Sequence, residues 1–137
     1  MRIFSEKINY ALAALFELAK NYNQGQMQIK EIAKAQSIPK NYLEQLLVNL
    51  KRGGLLESVR GAQGGYKLNK APHDIKIIDI IEALESPINI VDYSKNPEVL
   101  QSFWKKIESN FKDLFKKTLE DLVNEEEILK KRLNYQI

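Results

Sequence analysis

The fold is decided by residues 58–68, which read Ser58-Val59-Arg60-Gly61-Ala62-Gln63-Gly64-Gly65-Tyr66-Lys67-Leu68. Three glycines and an arginine lie here between two short alternations of apolar and polar side chains. Successive backbone N–H groups freed by glycine bind phosphate well, but a Walker loop continues as Gly-Lys-Ser/Thr into a helix. Gly65 instead leads into an alternation that is typical of a strand. The stretch therefore predicts the tip of a β-hairpin.

Amphipathic helices are predicted ahead of this hairpin. The first spans residues 5–20 with Ser5 as its N-cap, and a short second helix runs from Ile29 to about residue 35. The third starts at Pro39, in the favoured first position, and ends at Gly53-Gly54. A short helix, a tight turn, another helix and a hairpin make a winged helix-turn-helix, so we predict a mainly α-helical fold with a small β-hairpin wing. The inward positions of the third helix are Leu43, Leu46, Leu47 and Leu50.

Further helices are predicted in the second half of the chain. Residues 75–84 fit a strand followed by a helix, or a helix alone, and residues 86–97 contain two prolines and fit a linker. Apolar side chains then recur every three or four residues, which predicts one helix of about 25 residues and about 37 Å. Such a stripe favours packing against the same helix of a second chain. The predicted dimer-interface residues are Leu100, Phe103, Trp104, Ile107, Phe111, Leu114, Phe115, Leu119 and Leu122.

The chain length suits one domain with an appendage, since 137 residues with 44% hydrophobic content can bury a single core. We predict a winged helix-turn-helix DNA-binding domain at residues 1–85, a linker or sensor loop at 86–97, and a dimerisation helix with a helical tail at 98–137. A short charged helix is expected at residues 125–132 within that tail.

Composition excludes several classes of function. The chain has no cysteine and one histidine, His73, which removes disulfides, thiolate nucleophiles and zinc fingers and argues against any metal site. No carboxylate pair has a neighbouring nucleophile or metal partner, so we predict no enzymatic activity. No segment has the ~18 uninterrupted apolar residues of a membrane span, and we expect a cytoplasmic protein without a membrane partner.

Charge is distributed unevenly along the chain. Residues 1–70 hold 11 basic and five acidic side chains, a net charge of +6, whereas residues 71–137 have a net charge of −3. The basic half contains the glycine-rich tip. A basic half of this kind favours binding to a polyanion, and we expect double-stranded DNA.

Three motifs lie in the predicted DNA-binding domain at residues 1–85, which we call the reading head, or head. They are YLEQL at 42–46 on the third helix, GLLESVRG at 54–61 entering the wing, and GGY at 64–66 leaving it. Together these motifs resemble the Rrf-two family of bacterial transcriptional regulators. The similarity extends over nearly the whole chain, through Arg2, Tyr10-Ala11-Leu12, Ile80, Trp104 and Thr118-Leu119-Glu120-Asp121-Leu122.

The resemblance implies a sequence-specific DNA-binding regulator, with repression favoured over activation. It implies a homodimer on a palindromic operator, with the recognition helix at 39–52 in the major groove and the wing at 60–66 in the minor groove. Two equivalent heads agree with the separate expectation of a dimerising helix, because a two-fold dimer reads two half-sites.

One departure from the family pattern concerns its cofactor. Family members that bind an iron–sulfur cluster hold it with three cysteines in the stretch that corresponds here to about residues 91–101, and this chain has none. Asn9 also lacks the carboxylate that some relatives supply. We therefore expect no cysteine-ligated cluster and no cofactor, and the regulatory signal is left open between a partner protein and a small-molecule effector.

Candidate DNA-contacting residues lie at the start of the third helix and in the wing. Asn41 or Gln45 suits adenine, Glu44 suits the amino group of cytosine, and Lys40 suits a phosphate. Tyr42 has a second reading as a packing residue of the head, and Lys51 and Arg52 suit either phosphate or the C-terminus of the helix. In the wing, Arg60 and Gln63 are the expected contacts, and the residues expected to act through backbone shape are Gly61, Gly64 and Gly65. Tyr66, directly after them, is also included in the predicted DNA-binding set.

A second class of function is an adaptor. In that reading the chain docks on a metabolic enzyme through its acidic C-terminal half, and DNA binding is secondary or controlled by the partner. The basic reading head favours the regulator, because a pure adaptor has no use for one.

Overall fold

The computed structural model describes residues 1–136 and is mainly helical, with one antiparallel pair of strands in that range. This architecture confirms the predicted fold class. Ile137, the last residue of the predicted tail, lies outside the described residues. The helices are α1 Glu6–Lys20, α2 Ile29–Gln36, α3 Lys40–Arg52, α4 Ile77–Leu84, α5 Glu98–Asp113 and α6 Leu119–Gln136; the strands are β1 Leu56–Val59 and β2 Gly65–Leu68.

Helices α1, α2 and α3 form one core with the hairpin. Their apolar residues recur at helical spacing, so each helix buries one face. Ser5 precedes α1 as predicted, but its hydroxyl donates to Glu85 Oε1 at 2.9 Å and does not cap the helix. The fully buried side chains of this core include Leu15, Ile32, Leu43, Leu46, Leu47, Leu50, Ile75 and Ile80.

The turn between α2 and α3 is tight. Ser37 adopts the left-handed conformation, with φ 53° and ψ 46°, and ends α2. The backbone N–H of Ile38 then donates to the carbonyl of Ala33 at 3.0 Å, and the Ile38 side chain is buried. This αL cap reverses the chain within a few residues and sets α3 across α2.

The hairpin is anchored to the core at one end and free at the other. Leu56 pairs with Leu68 where the strands meet the core, and both side chains are buried. Glu57 and Lys67 pair next and form a cross-strand ion pair at 3.1 Å. The tip after Val59 is exposed to solvent.

The prediction of one long helix after the linker is wrong, because α5 ends at Asp113 and α6 begins at Leu119. A reciprocal cap starts α6: the backbone N–H of Asp121 donates to Thr118 Oγ1 at 3.1 Å, and the Thr118 N–H donates to Asp121 Oδ2 at 2.9 Å. Hydrogen bonding of the Asp121 carboxylate to the backbone N–H of Thr118, and secondarily to its hydroxyl, lowers the pKa of Asp121. The apolar spacing continues across the break, but Leu119 is buried in the core.

The segment between α5 and α6 is bonded to the start of α4. The carbonyls of Lys117 and Phe115 accept from the N–H groups of Ile77 and Ile78 at 2.9 and 2.8 Å. The N–H groups in the first turn of a helix have no partner within the helix. The carbonyls of the segment between α5 and α6 therefore supply partners for the N–H groups at the start of α4. It also returns the chain to the head, where Leu119 is fully buried and Val123 packs on the core.

No helix within residues 1–136 combines the length and the apolar character that crossing a membrane requires.

Candidate nucleic-acid interface

The outer face of α3 is a polar stripe. Buried leucines occupy one side of the helix, and at 100° per residue the positions directly opposite them are Asn41, Gln45, Val48 and Arg52. All four side chains are exposed. We call these four residues the outer stripe. Asn41 and Gln45 are in the predicted set, whereas Val48 was not predicted as a functional residue.

A cleft lies beside the outer stripe, between α3, the N-terminus of α2 and the wing. It brings together three of the predicted DNA-contacting residues, Lys40 and Glu44 from α3 and Arg60 from the wing. Lys30, from the first turn of α2, lines the same cleft and was missed. Within residues 1–136 none of these four charged groups forms an ion pair. Three free cations around two helix N-termini make this cleft suited to a polyanion.

Only one glycine of the wing tip needs a positive φ. Gly61 has φ +110° and turns the chain, and the Gly64 N–H donates back to its carbonyl at 3.0 Å. A side-chain carbon on Gly64 would overlap the carbonyl of Val59, and one on Gly65 would overlap the carbonyl of Met27. Gly64 and Gly65 thus allow the backbone of the wing to lie close to the carbonyls of Val59 and Met27.

The backbone of Tyr66 ties the wing to the segment before α2. Its N–H donates to the Met27 carbonyl at 2.8 Å and its carbonyl accepts from the Met27 N–H at 2.9 Å. The half-buried Tyr66 ring packs on the core. Gln26 Nε2 also donates to the carbonyl of Gln63, which leaves the Gln63 side chain exposed at the tip. The segment before α2 therefore holds the wing at two places, Tyr66 and Gln63.

Two further predicted residues of α3 have neighbours within the chain. Tyr42 is partly exposed and packs edge-on against Tyr10, with ring centroids 5.4 Å apart. Lys51 Nζ donates to Ser58 Oγ on β1 at 2.7 Å. This hydrogen bond joins the C-terminal part of α3 to the wing.

The predicted interface residues divide between exposed positions and positions packed against the head. Leu100, Phe103 and Ile107 leave exposed apolar side chains along α5 together with Val99, which was not predicted, and Phe103 is 54% exposed. Phe111 instead stacks on Phe4 of the head, and Phe115 packs edge-on against the same ring. Leu119 is fully buried in the core and is not a surface residue. Trp104 lies half-buried against Phe103, Leu114 is exposed in the break, and Leu122 is half-buried on α6.

The residues present do not fit a cluster held by thiolates. The stretch 91–101 offers oxygen and nitrogen donors only, and its Asp92 carboxylate already accepts from the backbone N–H and the hydroxyl of Ser94. Asn9 Nδ2 donates to Glu6 at 3.3 Å. In the part of the chain that the structure describes, no three His, Cys, Asp or Glu side chains are grouped as metal ligands.

The chain is similar to known transcriptional regulators over most of its length. The family model Rrf2 (the Rrf-two family above), described as an iron-dependent transcriptional regulator, matches residues 4–125. The HTH-type transcriptional regulator CymR of Bacillus subtilis is 38% identical over 122 residues, 88% of each chain.

Solved structures of transcriptional regulators are also similar to this chain. The structure of CymR, described as the global cysteine regulator of B. subtilis, matches with a TM-score of 0.83 and covers 90% of this chain and 98% of its own. The T. potens IscR structure matches with a TM-score of 0.77 at 37% identity, covering 90% and 88%. These relatives are regulators and not enzymes, as predicted. On this similarity in sequence and fold, the chain belongs to the Rrf2 family of helix-turn-helix transcriptional regulators.

Proposed function

We propose that the protein binds double-stranded DNA sequence-specifically, with α3 in the major groove and the wing at residues 60–66 in the adjacent minor groove. The observation that carries this proposal is the cleft where Lys30, Lys40 and Arg60 converge beside the outer stripe. Charges that converge on one concave surface fit a phosphate backbone better than charges scattered over the molecule. The exposed polar side chains at the start of α3 are available to read bases.

The candidate contacts divide by chemistry. Lys30 and Lys40, at the first turns of their helices, suit phosphates on either side of the groove, because helix N-termini also favour anions. Glu44 lines a cleft with three cations, and a carboxylate next to phosphates is unfavourable unless it accepts a hydrogen bond from a base. We assign it to a cytosine amino group and assign Asn41 and Gln45 to adenine.

We propose a homodimer that pairs through α5. The exposed apolar line at Val99, Leu100, Phe103 and Ile107 supports this, since a monomer would leave it in water. A two-fold dimer places two α3 helices on one side of the duplex, so the operator is expected to be palindromic. We expect repression where the operator overlaps a promoter, because a bound dimer then excludes polymerase from the same DNA.

The test begins with site selection from a random duplex library, followed by fluorescence anisotropy on the selected duplex and on a scrambled one across a salt series. Expected results are a palindromic consensus, two chains per site and an affinity that falls steeply with salt. Run-off transcription from a promoter that overlaps the selected site should decrease on addition of protein.

Two outcomes would contradict the proposal. Equal affinity for the selected and scrambled duplexes at every salt concentration would leave only non-specific binding. Absence of binding at low salt, together with stable capture of an enzyme by the acidic C-terminal half, would favour the adaptor.

A further inference from the structure

Val48 is an anomaly on the outer stripe. Its neighbours Asn41, Gln45 and Arg52 are polar or charged, whereas Val48 is aliphatic and 40% exposed. It does not contribute to the core, because the leucines at 43, 46, 47 and 50 fill the inward face of α3. Valine is also a weaker helix former than alanine at an exposed position, so neither packing nor propensity accounts for it.

The geometry points to a ligand for this side chain. Val48 follows Gln45 by three residues and Asn41 by seven, which places all three on one line along the helix. A helix that presents Asn41 and Gln45 to base edges therefore presents Val48 to the same groove, one turn further along. The apolar group on the floor of the major groove is the 5-methyl group of thymine.

We propose that Val48 reads the methyl group of a thymine in each half-site. The proposal rests on the proposed function, since it requires α3 in the major groove. Asn41 or Gln45 on adenine and Val48 on thymine together make α3 a reader of A·T pairs, with Glu44 adding a cytosine on the side of the wing.

Replacing each thymine of the selected duplex in turn by uracil, which lacks only this methyl group, tests the proposal. One methyl buried against valine corresponds to an affinity difference of about fourfold. For the unmodified protein we expect this loss at one thymine per half-site. Val48→Ala should show a much smaller difference in affinity between the thymine and uracil duplexes, because its shorter side chain lies farther from the base.

A folding check and one control variant separate the contact from general damage. Alanine favours the helix at this exposed site, so Val48→Ala should fold, which circular dichroism verifies. Leu129→Ala, at an exposed aliphatic position on α6 remote from α3, should keep the full uracil effect.

The outcomes that overturn the inference differ from those that overturn the function. If the selected site is bound specifically but no uracil substitution matters, or if Val48→Ala keeps the uracil effect, the reading of thymine is wrong and DNA binding stands. If no duplex is selected, both proposals are wrong.

Discussion

Gly65 is required by a neighbour in the same chain and not by a ligand. Its missing side chain lets β2 lie against the carbonyl of Met27, where two backbone hydrogen bonds form with Tyr66. Gly61 is required for a different reason, the positive φ that turns the wing. The glycines were predicted from sequence as a group, but the contact with Met27 was not, because it joins segments far apart in the chain.

Gly65→Ala should loosen the wing. The added methyl group forces the Met27 and Tyr66 backbones apart, and overpacking of this kind destabilises proteins by about 1–3 kcal/mol. We expect faster hydrogen exchange at the Met27 and Tyr66 amides and a lower urea midpoint. Gly54→Ala is the matched control: its φ of +82° strains alanine, but no atom lies near the added group. If the Met27 amide of Gly65→Ala exchanges at the same rate as in the unmodified protein, Gly65 is not required for the contact with Met27.

Arg60→Ala should weaken binding to the selected duplex without changing stability, because the side chain is exposed at the wing. Loss of one cation at a phosphate or in the minor groove should lower the affinity about tenfold. If Arg60 touches a phosphate, the slope of log affinity against log salt concentration should also decrease by about one unit. Anisotropy across a salt series measures both. Arg132→Ala changes an exposed arginine on α6 and should leave the affinity and the salt slope unchanged. If the two variants bind alike, Arg60 does not contact the DNA.

At the scale of elements, local signals predicted α1, α2, α3 and the hairpin because caps, turns and apolar periodicity agree there. The break between α5 and α6 was missed for a physical reason. The spacing of apolar residues continues through it, while the only local signal is the pair Thr118 and Asp121, whose reciprocal hydrogen bonds form the cap. The spacing of apolar residues shows where apolar side chains occur, but it does not show whether they belong to one helix or pack against one surface.

Thr118→Ala should destabilise the junction by about 1 kcal/mol, because the hydroxyl that accepts from the Asp121 N–H is lost at a helix start. Urea unfolding followed by circular dichroism measures this change. Ser94→Ala removes a hydroxyl from an exposed turn in the linker and should alter stability by less than about 0.5 kcal/mol. Identical unfolding curves for the two variants would show that the cap contributes nothing.

The whole molecule joins a basic head to two helices, α5 and α6, that both expose apolar side chains. On α6 the exposed ones are Ile128, Leu129, Leu133 and Tyr135. The predicted stripe combined two sets of residues: Phe111 and Phe115 pack against Phe4 of the head, and Leu100 and Phe103 are exposed on α5. Sequence alone did not separate them, because both sets are large apolar residues that follow one another at helical spacing.

Phe103→Glu should convert the proposed dimer to a monomer, since a charge in the middle of an apolar interface has no partner there. Light scattering after gel filtration measures the mass, and operator affinity should fall with it because a single head reads one half-site. Ser109→Glu carries the same charge on the opposite side of α5 and should remain dimeric. A Phe103→Glu variant of unchanged mass would place the dimer contact elsewhere.

The hydrogen bonds between the 115–119 segment and the start of α4 have a consequence for the segment between them. The chain leaves the head at Leu84, the C-terminal end of α4, and returns to Ile75 and Ile77 at the N-terminal end, so this excursion begins and ends on one helix. Along the way it contacts the head again through Ile88, which is buried with Ile8 and Ile81, and through Phe111, which packs on Phe4. A movement of α5 is therefore transmitted to both ends of α4 and to the start of α1.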